Sequence, residues 1–174
     1  MPVLHSLFAY DLAYMPHGEN VILVLGTDGG TVERVVFKDI AEEIVVMDPA
    51  LPLPPRAERV RAAVPDGERV LAVFTDVFDC FFRFLGAILH TRGVLDQALF
   101  WRTVARCVAD YQDAHPHLAA EFARYDLFAQ DFPLSCLNRL QLRDNRKMVD
   151  PADPSAALQF AGTLANPLSA HRPT

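Results

Sequence analysis

The sequence predicts an α+β fold, mostly α: a small N-terminal antiparallel β-hairpin followed by a helical lobe. Three observations predict it. Two short apolar runs, VILVL and VERVVF, flank a Gly-containing turn, the pattern of a hairpin. Apolar residues then recur at three and four from residue 70 to residue 89 and again from 95 to 111, the helical period. Between these regions the stretch PALPLPP carries Pro49, Pro52, Pro54 and Pro55, which exclude regular helix or central strand and mark a boundary. The expected division is residues 1–48, which hold the hairpin, and 49–174, a helical lobe with an extended tail.

In chain order, Val3 to Leu12 reads as a short apolar helix. The hairpin brings the start of its first strand beside the end of its second, so Asn20 and Asp39 face one place. IAEEIVVMD reads as a helical turn entering a short strand, and Arg56 to Val64 as a short charged helix. Glu68 to about Thr91 is continuously helical, with Phe74, Phe78, Phe81 and Phe82 on a wide apolar stripe and Gly93 in the position of a left-handed C-terminal glycine. The next helix runs from Leu95 to about His115, with Leu99, Phe100, Val104, Cys107, Val108 and Tyr111 inward. A shorter one covers His117 to Tyr125 and a fourth Ser135 to Arg143. The tail from Lys147 reads as an extended surface segment.

Composition bounds function. The chain has 174 residues, 51% hydrophobic, with a formal net charge of -6, enough for one domain with a real core or two small lobes sharing one. No Lys/Arg-rich block is present, which argues against nucleic-acid backbone binding. No apolar run approaches the ~20 residues a membrane helix needs, and the N-terminus lacks a basic signal-type region. Cys80, Cys107 and Cys136 are odd in number and widely spaced, with no CxxC; this fits a reduced compartment and gives no zinc or iron-sulfur motif. The expected location is cytoplasmic, with neither membrane nor nucleic acid as partner.

The residues with chemical use gather at the hairpin's open end. An amide oxygen at Asn20 and a carboxylate at Asp39 are hard ligands suited to a magnesium-bound phosphate. A polar turn and a plain strand end explain the same residues without function. Asp79 and Arg83 on the long helix are spaced for an ion pair; the pair is either a modest surface contact or is drawn inward toward a ligand. Arg139 and Arg143 lie in the most cationic stretch, and arginine suits carboxylate recognition. No phosphate-gripping G-x-x-x-x-G-K-[ST] or G-x-G-x-x-G motif occurs.

PHGENVILVL paired with VVFKDIAEEI, then TDVFDCFFRFL, FWRTVARCVADYQ, YDLFAQDFPLSCLNRLQLRDN and GTLANPL, in that order, resemble the C-terminal region of the NRPS-independent siderophore synthetases, the aerobactin-synthetase-like family. HGEN followed by KDI is most similar to its hydroxamate branch, of desferrioxamine or alcaligin type. The resemblance implies an ATP-dependent, AMP-forming ligase that adenylates a carboxylate and passes the acyl group to an amine or hydroxylamine. The substrates implied are small carboxylates and N-hydroxylated diamines. It implies a palm and thumb arrangement, with His17 near the reacting groups as the catalytic residue. Glu19, Asn20, Lys38 and Asp39 would stand at the nucleotide, Asn20 and Asp39 also at magnesium, and Arg139 and Arg143 at the substrate. Glu19 stands where many members have Gln, and Lys38 where other branches have Arg. The family's triphosphate-gripping N-terminal portion has no counterpart in this sequence, so the expectation is a C-terminal piece that is inactive alone and whose partner is that missing portion. Other readings are a non-catalytic or ferric-siderophore-handling module, and a homodimerisation lobe.

Overall fold

The computed structural model describes residues 2–14, 20–38, 44–135 and 160–173. Helix α1 (Pro2–Tyr10) buries Leu4, Leu7 and Phe8. It stops at Asp11, whose φ of 50° is left-handed, a conformation that Asp and Asn tolerate better than other side chains. The helix thus ends two residues before the expected Leu12, and the chain leaves as strand β1 (Leu12–Tyr14), which pairs antiparallel with β4 (Ile44–Val46) in the register Leu12↔Val46 and Tyr14↔Ile44.

The hairpin forms as expected from β2 (Val21–Leu25) and β3 (Val32–Phe37), with Val21 opposite Phe37. Asp28 organises its turn by accepting from the Gly30 and Thr31 backbone N–H groups and the Thr31 hydroxyl. These three donors hold the Asp28 carboxyl down at about 2. Ile22, Leu23, Leu25, Val32, Val35 and Val36 are all exposed. Because successive strand residues point to opposite faces, apolar surface is open on both sides of the ribbon.

The expected helix over Arg56 to Val64 contracts to a single 3-10 turn, Glu58–Val60. Arg61 is extended, bridges in parallel to Val46, and the next N–H, of Ala62, donates to the Val46 carbonyl at 3.1 Å. Strand-like pairing to β4 therefore takes the backbone groups a longer helix would need.

The long helix begins at α2 (Asp66–Arg69), passes through a π-helical stretch (Ala72–Phe82) and finishes as α3 (Arg83–Thr91). Its middle is wider than the α-helix that a three-and-four pattern predicts. Gly93 ends it at φ 66°; its N–H donates to the His90 carbonyl and that of Val94 to Leu89, the two bonds of a Schellman cap. Helix α4 (Gln97–Ala114) starts at Asp96, whose side chain accepts from the Leu99 N–H at 3.0 Å. Its inner face is Phe100, Trp101, Ala105, Val108 and Tyr111, while Leu99 and Cys107, expected inward, are exposed. A 3-10 turn (Pro116–Leu118) leads into α5 (Ala119–Arg124).

The tail departs from expectation. Strand β6 (Phe160–Ala165) pairs antiparallel with β5 (Asp131–Ser135), Phe132 opposite Leu164. Asn166 then locks the end: its amide donates to the Leu127 and Ala129 carbonyls, and its oxygen accepts from the Leu168 N–H. Leu168 is fully buried. Ser135, expected to open a helix, ends a strand; residues 136–143 lie outside the described residues.

One hydrophobic core joins α1, the π stretch, α4, β5 and Leu168. Phe74 stacks flat on Phe132 at 4.6 Å, and Trp101 meets Phe78 and Phe100 edge to face. A polar knot closes the N-terminal side. Arg69 donates to Asp11 Oδ2, the Tyr125 hydroxyl to Asp11 Oδ1, and Arg124 reaches Asp11 at 3.5 Å and Asp66 at 2.8 Å.

Candidate functional site

Two described pairs frame the sequence-predicted site. At one end, Tyr14 and Ile44 are register partners at the limit of the β1–β4 pair. At the other, the Lys38 N–H donates to the Asn20 carbonyl at 3.1 Å, one step beyond Val21↔Phe37. The Tyr14 and Phe37 rings stack at 5.4 Å and 8°, linking the two ends. Antiparallel pairing at Asn20 and Lys38 continues the register of the two apolar runs that build the hairpin. Asn20 is buried, 4% exposed, and Lys38 is exposed. Of the seven predicted site residues, the structure brings these two together; His17, Glu19, Asp39, Arg139 and Arg143 lie outside the described residues.

Below the β1–β4 pair is a cavity of about 220 Å³, walled by Ala13 and Val45 of that pair, Leu71, Thr75 and Asp76 of the long helix, and Ser135 at the end of β5. Thr75 and Ser135 are both buried, and their hydroxyls are hydrogen-bonded at 3.2 Å.

A second cavity, about 200 Å³, lies farther along the π stretch between Phe78, Trp101, Phe132 and Leu164, with Asp79 and Arg83 in its lining. Of this pair only Asp79 is buried, while Arg83 is half-exposed; Asp79 Oδ1 lies 3.0 Å from Arg83 Nε. Cys80, its neighbour, is half-buried, and burial, reinforced by the Asp79 and Asp76 carboxylates, pushes its thiol up; it is not an activated nucleophile. Among the described residues no group of three His, Cys, Asp or Glu side chains could hold a metal ion, and no helix is long and apolar enough to cross a membrane.

The family described as "Ferric iron reductase FhuF-like transporter" matches residues 1–150. The chain belongs to the FhuF-like family. This FhuF-like chain is 46% identical over 171 residues to putrebactin synthase of Shewanella sp. (strain MR-4), a match covering 98% of the chain and 27% of that protein. It is 32% identical over 173 residues to the rhizobactin siderophore biosynthesis protein RhbF of Rhizobium meliloti (strain 1021), covering 97% of the chain and 28% of that protein. Among solved structures, the aerobactin synthetase IucC from a hypervirulent pathotype of Klebsiella pneumoniae superposes with a TM-score of 0.75 at 26% identity, over 98% of this chain and 28% of that one. The relatives are siderophore synthetases, as the motif resemblance implied, and the FhuF-like chain corresponds to their C-terminal domain. It spans little more than a quarter of the length of the curated relatives it matches.

Sequence reasoning missed the Asp11 knot. Its one legible signal was Asp11 itself, a helix-breaking acid between two apolar runs.

Proposed function

We propose that this chain is the C-terminal part of a cytoplasmic, ATP-dependent, AMP-forming siderophore synthetase that joins an activated carboxylate to an amine or hydroxylamine of a hydroxamate precursor. The observation that carries the reading is the 46% identity to putrebactin synthase across 98% of the chain. The Asn20–Lys38 pair supports it, since it brings together two of the residues that the motif resemblance assigns to the nucleotide.

Asn20 and Asp39 offer an amide and a carboxylate oxygen, a donor set that fits magnesium, and would hold it at this end of the hairpin. When bound, the ion neutralises charge on the phosphates. His17, three residues before Asn20, would donate a hydrogen bond at the reacting carboxylate. Glu19 and Lys38 would flank the nucleotide, and Arg139 and Arg143 would bind a substrate carboxylate in bidentate fashion. Residues 1–48 would serve as the nucleotide-facing part and 49–174 as a thumb-like lobe. The two apolar faces of the β2–β3 ribbon fit coverage by the remainder of a longer synthetase. Self-association through the α3 face that exposes Phe84 and Ile88 belongs to the same proposal.

The test is Asp39→Ala in the full-length synthetase. Carboxylate-dependent pyrophosphate exchange should fall by about 100-fold or more. Exchange at the parental rate would refute the metal role. The family's description favours a second reading, ferric-siderophore reduction; stoichiometric iron and a visible chromophore in the purified protein would turn the assignment to it.

A further inference from the structure

The cavity beside the π stretch contains a polar atom that the fold leaves short. Asp79 is 7% exposed and its side chain 9%, yet Oδ1 accepts no hydrogen bond. Arg83 Nε is 3.0 Å away, but that approach lacks hydrogen-bond geometry. The Arg83 side chain, also in the cavity's lining, is half-exposed, and its guanidinium lies over the Phe84 ring at 4.9 Å. A buried carboxylate oxygen with only a charge beside it is costly. The rest of the wall is largely apolar, with Phe78, Trp101, Phe132, Leu164 and Pro167, and includes one uncharged polar side chain, Gln97. Phe78 and Asp79 are both buried residues of the π stretch Ala72–Phe82, and such stretches recur at functional sites.

We propose that this cavity is a subsite for a protonated primary amine on an apolar stem. The ammonium donates to Asp79 Oδ1, and the methylenes lie along Phe78, Trp101 and Phe132, whose ring faces also attract the cation. Arg83 sits at the mouth as the competitor the ammonium displaces. The inference deepens the ligase reading, in which the acyl acceptor is an amine, and it rests on that reading for the ligand's place in a reaction. The two fail separately: the Asp39→Ala assay probes the phosphate side alone, whereas amine binding needs no nucleotide.

The chain supplies its own reporter, since Trp101 is its single tryptophan and lines the cavity. Pentan-1-amine, charged at neutral pH, is titrated at constant ionic strength while Trp101 fluorescence is followed. Pentan-1-ol is the neutral control. The expected result is a saturable change with the amine, about ten- to hundredfold weaker in Asp79→Asn, and no difference between the two proteins with the alcohol. Arg83→Gln, at a half-exposed position, should bind the amine several-fold more tightly, and decides the matter if Asp79→Asn fails to fold. No saturable response, equal binding to Asp79→Asn, or unchanged or weaker binding to Arg83→Gln overturns the proposal.

Discussion

Asp11 ties the corner between α1 and β1 to α2 and to the end of α5 through one side chain, so its removal has a calculable cost. Its carboxylate and the Arg69 guanidinium are each 13% exposed, and Tyr125, which donates to it, is fully buried. Removing one member of a largely buried pair costs about 3–5 kcal/mol, because the remaining charge is stranded. Arg124 adds little, being 3.5 Å away and about a third exposed. The backbone contributes separately: at φ 50° an alanine is disfavoured by about 1–2 kcal/mol, and glycine is not. Asp11→Ala should therefore lose about 4–7 kcal/mol, Asp11→Gly about 3–5 and Asp11→Asn least, since Asn tolerates the left-handed turn and still accepts from Tyr125. Urea denaturation of the three variants, compared at constant m, reads these differences. An Asp11→Ala protein within about 1 kcal/mol of the parent would refute the assignment of a buried knot, and equal stability of the Ala and Gly variants would refute the backbone part.

Burial, aided by the hydrogen bond to Asp11, pushes the Tyr125 phenol up to about 12. The folded state thus holds this proton more tightly than the unfolded chain, which releases it near 10. Its contribution is complete below about pH 10 and is lost as pH rises through about 12; Tyr125→Phe should flatten the alkaline limb of a midpoint-versus-pH curve. Gly93→Ala should cost about 1 kcal/mol by urea denaturation, a backbone effect alone, because an added Cβ would meet nothing within 4 Å.

The hairpin was legible because its register is local: once Val21 faces Phe37, Asn20 and Lys38 follow. Gly93 was legible for a similar reason, being the glycine just past a periodic run. Strand β1 was not, because three residues carry no period and Leu12 reads equally well as the end of an apolar helix. The π stretch was hidden because Phe74, Phe78 and Phe82 satisfy an α-helical spacing whichever way the turn is wound. Strand β6 pairs with a partner some thirty residues earlier, as in Phe132↔Leu164, and its Ala-Gly-Thr sequence has little strand character of its own. Leu99 and Cys107 point outward since Phe100, Trp101 and Ala105 fill the helix's inner face. At the candidate site, Asn20 and Lys38 could be read from pairing, whereas the spacing of Asp79 and Arg83 fits a surface pair as well as a buried acid, so the burial of Asp79 could not.

The position of α1 sets an order in time. Leu4, Leu7 and Phe8 are made long before their partners: Phe8 packs on Tyr111, Phe122 and Tyr125, and Asp11 meets Arg124 and Tyr125 at separations of 113 and 114 residues. Closing so long a loop is slow and precedes any reward from the contact. During synthesis α1 therefore waits, its apolar face unsatisfied, until α5 has left the ribosome, and in that interval this part of the nascent chain needs shielding from its neighbours.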